Sequence, residues 1–136
     1  MRVALVSPYS WSYPGGVLRH VEALRRELVA AGHEAQIFAP YDPDDALTSR
    51  LHRGNAPQSR PLPEYVTPLG RSVGLAMNGS QSNLALSPRA ALRLRRALAE
   101  GGMRVAIVGT GGIARVHQRV VRELGGEVVG VCGRSL

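Results

Sequence analysis

The sequence predicts an α/β protein, a Rossmann-like parallel sheet in the strand order 3-2-1-4-5. Three observations carry this. Arg2–Ser7 (RVALVS) and Met103–Val108 (MRVAIV) are short, nearly continuous apolar runs, as in strands buried on both faces of a parallel sheet. Each run is followed by a glycine-bearing turn and then by apolar residues at helical spacing. Finally, the pattern restarts: five of the six residues of Met1–Val6 recur in Met103–Val108, an internal repeat at the level of the fold.

The elements follow in order. After the first strand, Pro8–Gly16 reads as a loop. Val17, Val21, Leu24 and Leu28 then mark one face of a helix, and Gly32 stands where a helix end favours positive φ. Glu34–Ala39 is the second strand, which completes a βαβ unit. Asp42–Pro68, with five Pro and three Arg, is expected to be a long polar loop, with Asp42, Asp44 and Asp45 as a surface acidic turn. Ser72–Met77 is the expected third strand, Asn78-Gly79 a turn, and Asn83–Leu86 a short return strand. Ser87-Pro88 opens a helix with Ser as N-cap, and Ala91, Leu94 and Leu98 form its apolar face. Met103–Val108, Ile113–Leu124 and Glu127–Cys132 are the fourth strand, a helix and the fifth strand. A lone βαβ unit cannot cover both faces of its sheet, so the second start is expected to complete the sheet of the first. The expected units are therefore 1–102 and 103–136, merged into one domain.

The 136 residues suit a single core. The composition is 44% hydrophobic and 20% charged, that of an ordinary globular protein. The net charge of +7 is wholly arginine, since no lysine is present. These arginines are dispersed and not interleaved with aromatics, which argues against a nucleic-acid partner. One cysteine, Cys132, excludes an intrachain disulfide. His33, His52 and His117 lack metal-ligand spacing with it, so no metal site is expected. No nucleophile elbow or Walker motif is present, and no catalytic residue is assigned. No signal peptide or membrane span is recognised, so a cytoplasmic place is expected.

Chemistry is expected at the two glycine turns. In a βαβ unit the first helix aims its free N–H groups and positive dipole end at the turn before it, which suits an anion. Gly15 and Gly16 provide the first such turn. The second, Gly109-Thr110-Gly111-Gly112-Ile113-Ala114, fits G-x-G-x-x-A between a strand and a helix. The end of the next strand holds Arg134 and Ser135 instead of an acid, which would favour NADP(H) over NAD(H). The plainer alternatives stay open: a loop-to-helix entry at Gly15-Gly16, and a solvated tail at Arg134.

The stretch MRVALVSPYSWSYPGGVLRHVEALRRELVAAGHEAQIFAP, with GRSVGLAMNGSQSNLALSP further on, resembles the N-terminal domain of retaining GT-B glycosyltransferases of the family-four type, phosphatidylinositol mannosyltransferases among them. The likeness covers about the first 100 residues. It implies that Gly15 and Gly16 approach a nucleotide-sugar diphosphate, and that Tyr9, Asn78 and Ser80 face the acceptor. It also implies that donor binding requires a C-terminal domain, or a separate partner chain, beyond these residues. Asn83 stands where the resembled enzymes carry a basic residue. By the same likeness, Arg89, Arg93, Arg95 and Arg96 form a basic helix for an anionic membrane surface at the inner face.

MRVAIVGTGGIARVHQRVV and VVGVCGRS resemble instead the N-terminus of the glucose–fructose oxidoreductase and inositol dehydrogenase family. That family's catalytic lysine has no counterpart here. The expected function is thus a truncated or fused glycosyltransferase N-terminal, acceptor-side domain, inactive alone. The alternatives are an NAD(P)-binding oxidoreductase-like fragment and a chimeric product without molecular function, since Met103 resembles a second gene start.

Overall fold

A computed structural model describes residues 1–53, 55–58, 60–77, 80–84, 88–101, 104–108, 112–123 and 127–132. The strands and helices are β1 (Arg2–Val6), α1 (Gly16–Ala30), β2 (Glu34–Ala39), α2 (Ala46–Leu51), β3 (Val66–Pro68), β4 (Val73–Met77), β5 (Ser80–Leu84), α3 (Pro88–Gly101), β6 (Arg104–Val108), α4 (Gly112–Glu123) and β7 (Glu127–Cys132). Five strands form one sheet in the order β3-β2-β1-β6-β7, and every neighbouring pair is parallel. The fold class expected from the sequence is therefore present. The repeated run does lie beside the first one, Val3 opposite Arg104 and Val6 opposite Ile107.

The third strand is not the one the sequence suggested. Ser72–Met77 does not join the parallel sheet; β4 pairs antiparallel with β5 as a separate two-stranded ribbon. The edge place beside β2 belongs to Val66–Pro68, inside the stretch read as loop. Only Val66 of β3 is buried. An edge strand tolerates Pro68, which cannot donate to a ladder. The same stretch also holds α2, whose first turn is capped by Asp45 accepting from the Thr48 N–H at 2.8 Å.

Alternation along the strands divides the core into two layers. Val3, Leu5, Ile37 and Ala39 face α1, where they meet Leu18 and Val21 together with Trp11. Ala4, Phe38 and Val105 face the other way, onto Ala90, Leu94 and Leu98 of α3 and Val121 of α4. The buried stripe of α3 therefore begins at Ala90; Ala91 is exposed. Gly32 takes φ 82° after α1, the left-handed turn the sequence required.

Candidate functional site

Parallel α/β sheets bind ligands beyond the carboxyl ends of their strands, where the strand order reverses. Here that reversal falls between β1 and β6. At the end of β1 a cleft of about 470 Å³ opens, lined by Tyr9, Tyr13, Gly15, Gly16, Asn55 and Gln58 among others. The structure thus brings Tyr9, Gly15 and Gly16 together on one cleft. Tyr13, Asn55 and Gln58 carry no motif and were not singled out by sequence.

Neither glycine is demanded by the backbone. Gly15 has φ −152°, an extended value any residue adopts, and Gly16 is not among the positive-φ glycines. A Cβ built on either would meet nothing within 4 Å. The first turn of α1 has no side-chain cap and no acidic residue. Its first intrahelical bond is Arg19 N–H to the Gly15 carbonyl. The helix dipole at this end is therefore uncompensated by any acid of its own turn, and the approach to it is open.

Tyr13, which lines the cleft, meets one member of a buried polar lock. Asp42 is not on the surface, as expected from sequence, but almost completely buried. Its carboxylate accepts from the Ser72 N–H at 2.9 Å and the Ser72 hydroxyl at 2.5 Å, and lies 3.5 Å from His52 Nε2. The Asp42 N–H donates to Ser12 Oγ at 3.0 Å. Four pieces of chain are thus joined at Asp42, two of them through its carboxylate and one through its backbone N–H. Serine, histidine and aspartate meet here, but not as a catalytic relay. Nε2 of His52 faces both Ser72 Oγ, at 3.4 Å, and Asp42, whereas a relay uses the two ring nitrogens for different partners. All three side chains are also closed off from solvent.

Tyr13 lies on this lock. Its ring centroid is 4.7 Å from that of His52, and its hydroxyl donates to the Asn55 carbonyl at 2.8 Å. Burial, aided by the fields of Asp42 and Asp44, pushes its phenol up to about 12. Tyr13 therefore stays a protonated donor across the physiological range.

The other expected residues fall elsewhere. Asn78, Gly109, Gly111, Arg134 and Ser135 lie outside the described residues. Gly112, Ile113 and Ala114 open α4, and Ser80 opens β5. Arg89, Arg93, Arg95 and Arg96 are exposed on α3, on the opposite face of the sheet from α1. Among the described residues no cluster of His, Cys, Asp and Glu suits a metal. No described helix is long and apolar enough to cross a membrane.

Fold and cleft together define a Rossmann-like α/β protein with an open glycine turn at the switch point of its sheet. Residues 14–119 match Glycosyltransferase Family 4, and the chain belongs to that family. It is similar to a phosphatidyl-myo-inositol mannosyltransferase of Mycobacterium leprae (strain TN), 36% identical over 101 residues, covering 74% of this chain and 23% of that protein. The protein of that name from Mycolicibacterium smegmatis (strain ATCC 700084 / mc(2)155) is 35% identical over 101 residues, 74% of this chain and 22% of its own length. That of Propionibacterium freudenreichii subsp. shermanii is 35% identical over 105 residues, 77% and 26% of the two chains. The chain thus spans about a quarter of the length of the curated relatives it matches. The family match runs on through β6 and into α4, the segment in which an oxidoreductase start was expected, so a fusion to that second family is not supported.

Proposed function

We propose that this chain is the acceptor-side Rossmann half of a nucleotide-sugar-dependent glycosyltransferase, and that its Gly15-Gly16 turn takes the donor diphosphate. The observation that carries this is the open approach to α1: two glycines whose absent Cβ atoms serve neither backbone conformation nor packing, before an uncapped helix start. A diphosphate there would accept from backbone N–H groups at the positive end of the helix dipole. Tyr9, on the same cleft, would face the acceptor, with Asn78 and Ser80 as its expected companions. Transfer itself needs a donor domain supplied by further chain or by a partner. The purified 136 residues are expected to transfer no sugar by themselves.

The test is binding of inorganic pyrophosphate, followed at the amides of Gly16 and Val17. Affinity near about 1 mM is expected for half a site. Gly16→Val fills the open approach, so it should keep the fold and weaken binding at least about tenfold, the loss of one charge-assisted hydrogen bond. Unchanged binding in Gly16→Val would refute the reading.

A second proposal concerns α3. Leu92 is 62% exposed amid exposed Arg93, Arg95 and Arg96, an apolar residue among cations, as suits an anionic membrane surface. NADP(H) binding at Gly109–Ala114 stands as the less supported alternative, because it rests on the motif and on the α4 start alone.

A further inference from the structure

The cleft before the Gly15-Gly16 turn has a second wall, and one side chain makes a hydrogen bond to it. That wall is the segment Asn55–Gln58. Its hydrogen bonds within the described residues are three: Asn55 N–H to the His52 carbonyl at 3.1 Å, the Tyr13 hydroxyl to the Asn55 carbonyl at 2.8 Å, and Gln58 N–H to the Ser12 carbonyl at 2.9 Å. Two of the three come from the loop that leads into the glycine turn. Tyr13 is itself seated on His52, which is wholly enclosed and anchored at Asp42 and Ser72. Asn55 and Gln58 are exposed and line the same cleft as Gly15 and Gly16.

We propose that Tyr13 is a positioning residue for the anionic ligand of this cleft. Its hydroxyl clasps the 55–58 segment, which lines the same cleft as the glycine turn, so the cleft is formed before the ligand arrives. A wall already ordered costs the ligand no ordering entropy, and affinity rises accordingly. Burial holds the phenol protonated near neutral pH, so its hydroxyl remains a donor there. The inference rests on the reading of the glycine turn as a diphosphate site.

Tyr13→Phe tests it. The variant retains the ring on His52 and removes only the hydroxyl's bond. Pyrophosphate affinity should fall about threefold to tenfold, the weight of one hydrogen bond. The melting temperature should scarcely move, and the Gln58 amide should exchange faster with solvent while the His52 amide does not. A merely structural role would move stability and leave affinity alone. Tyr13→Ala, which also uncovers His52, should lose more affinity than Tyr13→Phe. Equal affinity in Tyr13→Phe and the parent, with Gly16→Val still impaired, would overturn the role of Tyr13 and leave the glycine turn standing. No pyrophosphate binding by the parent would overturn both.

Discussion

Asp45 shows how much a single side chain does in a segment without a core of its own. It caps α2 and also pairs with Arg71, Oδ2 to Nη2 at 2.6 Å and Oδ1 to Nη1 at 2.9 Å, a forked contact. The Arg71 hydrogen bonds, with the Thr48 N–H, hold its carboxyl well below the usual value of 3.8. A carboxylate whose folded pKa is lowered stabilises the fold above its unfolded pKa, and that contribution is lost as the pH falls through the folded value. Asp45→Asn keeps a capping oxygen but not the charge. The urea midpoint should therefore fall less steeply between about pH 4 and pH 2 in the variant than in the parent. Parallel curves would show that the pair adds nothing. Trp11 poses the opposite case, an apolar anchor with a polar cost. It is 1% exposed, and its indole N–H finds no acceptor among the described residues. Trp11→Ala should cost about 3–5 kcal/mol. Trp11→Phe, which removes the unpaired N–H and retains an aromatic ring, should cost markedly less in the same denaturant titration.

At the scale of elements, what could be read from sequence followed the strength of the periodic signal. α1 was legible because Val17, Val21, Leu24 and Leu28 repeat at helical spacing, and all four pack on one side of the sheet. β6 was legible because it repeats β1. β3 was not: three residues at an edge, one of them buried and one a proline, leave no period to detect. Ser72–Met77 has the apolar character of a strand, but composition does not say which sheet a strand joins. The site divided in the same way. Gly15 and Gly16 form a local pattern before a helix, whereas the lock of Ser12, Asp42, His52 and Ser72 is built from contacts between residues up to 30 positions apart within polar sequence. What holds the 60–65 segment over α1 is equally long-range: Arg60 lies 4.7 Å from the Trp11 ring centroid and pairs with Glu22, and Arg25 lies 3.7 Å from that of Tyr65. The basic face of α3 was legible as a pattern, and its use can be measured. Arg96 shares an exposed i,i+4 pair with Glu100, so Arg93 and Arg95 are the better sites for charge reversal. Arg93→Glu with Arg95→Glu should weaken co-sedimentation with anionic vesicles about tenfold or more at low salt, at roughly 1 kcal/mol per charge. Equal binding of the parent to neutral and anionic vesicles would exclude a role for these arginines at an anionic membrane surface.

For the whole molecule, the decisive contact is β1 against β6. It joins the first βαβ unit of the chain to the repeated start, and the core spans the same seam. Ala4 and Phe38 come from the first βαβ unit, Leu94 and Leu98 from α3, and Val105 and Val121 from β6 and α4, yet all six lie in one buried cluster. If β6–α4–β7 were absent, β1 would become an open edge, and α3 would lose the strand on which part of its apolar face rests. The two parts should therefore unfold as one. Val105, 0% exposed, is the position to probe. Val105→Asp would place a charge without a designed partner at the centre of that cluster, a cost of several kcal/mol and comparable with the stability of a small domain. Hydrogen exchange is expected to show loss of protection in β2 and α1 together with β6 and α4. Val105→Ala, a milder change, should shift a single unfolding transition without splitting it. Two separate transitions, or retained protection of β1 and β2 in Val105→Asp, would mean that the first βαβ unit folds independently of the second.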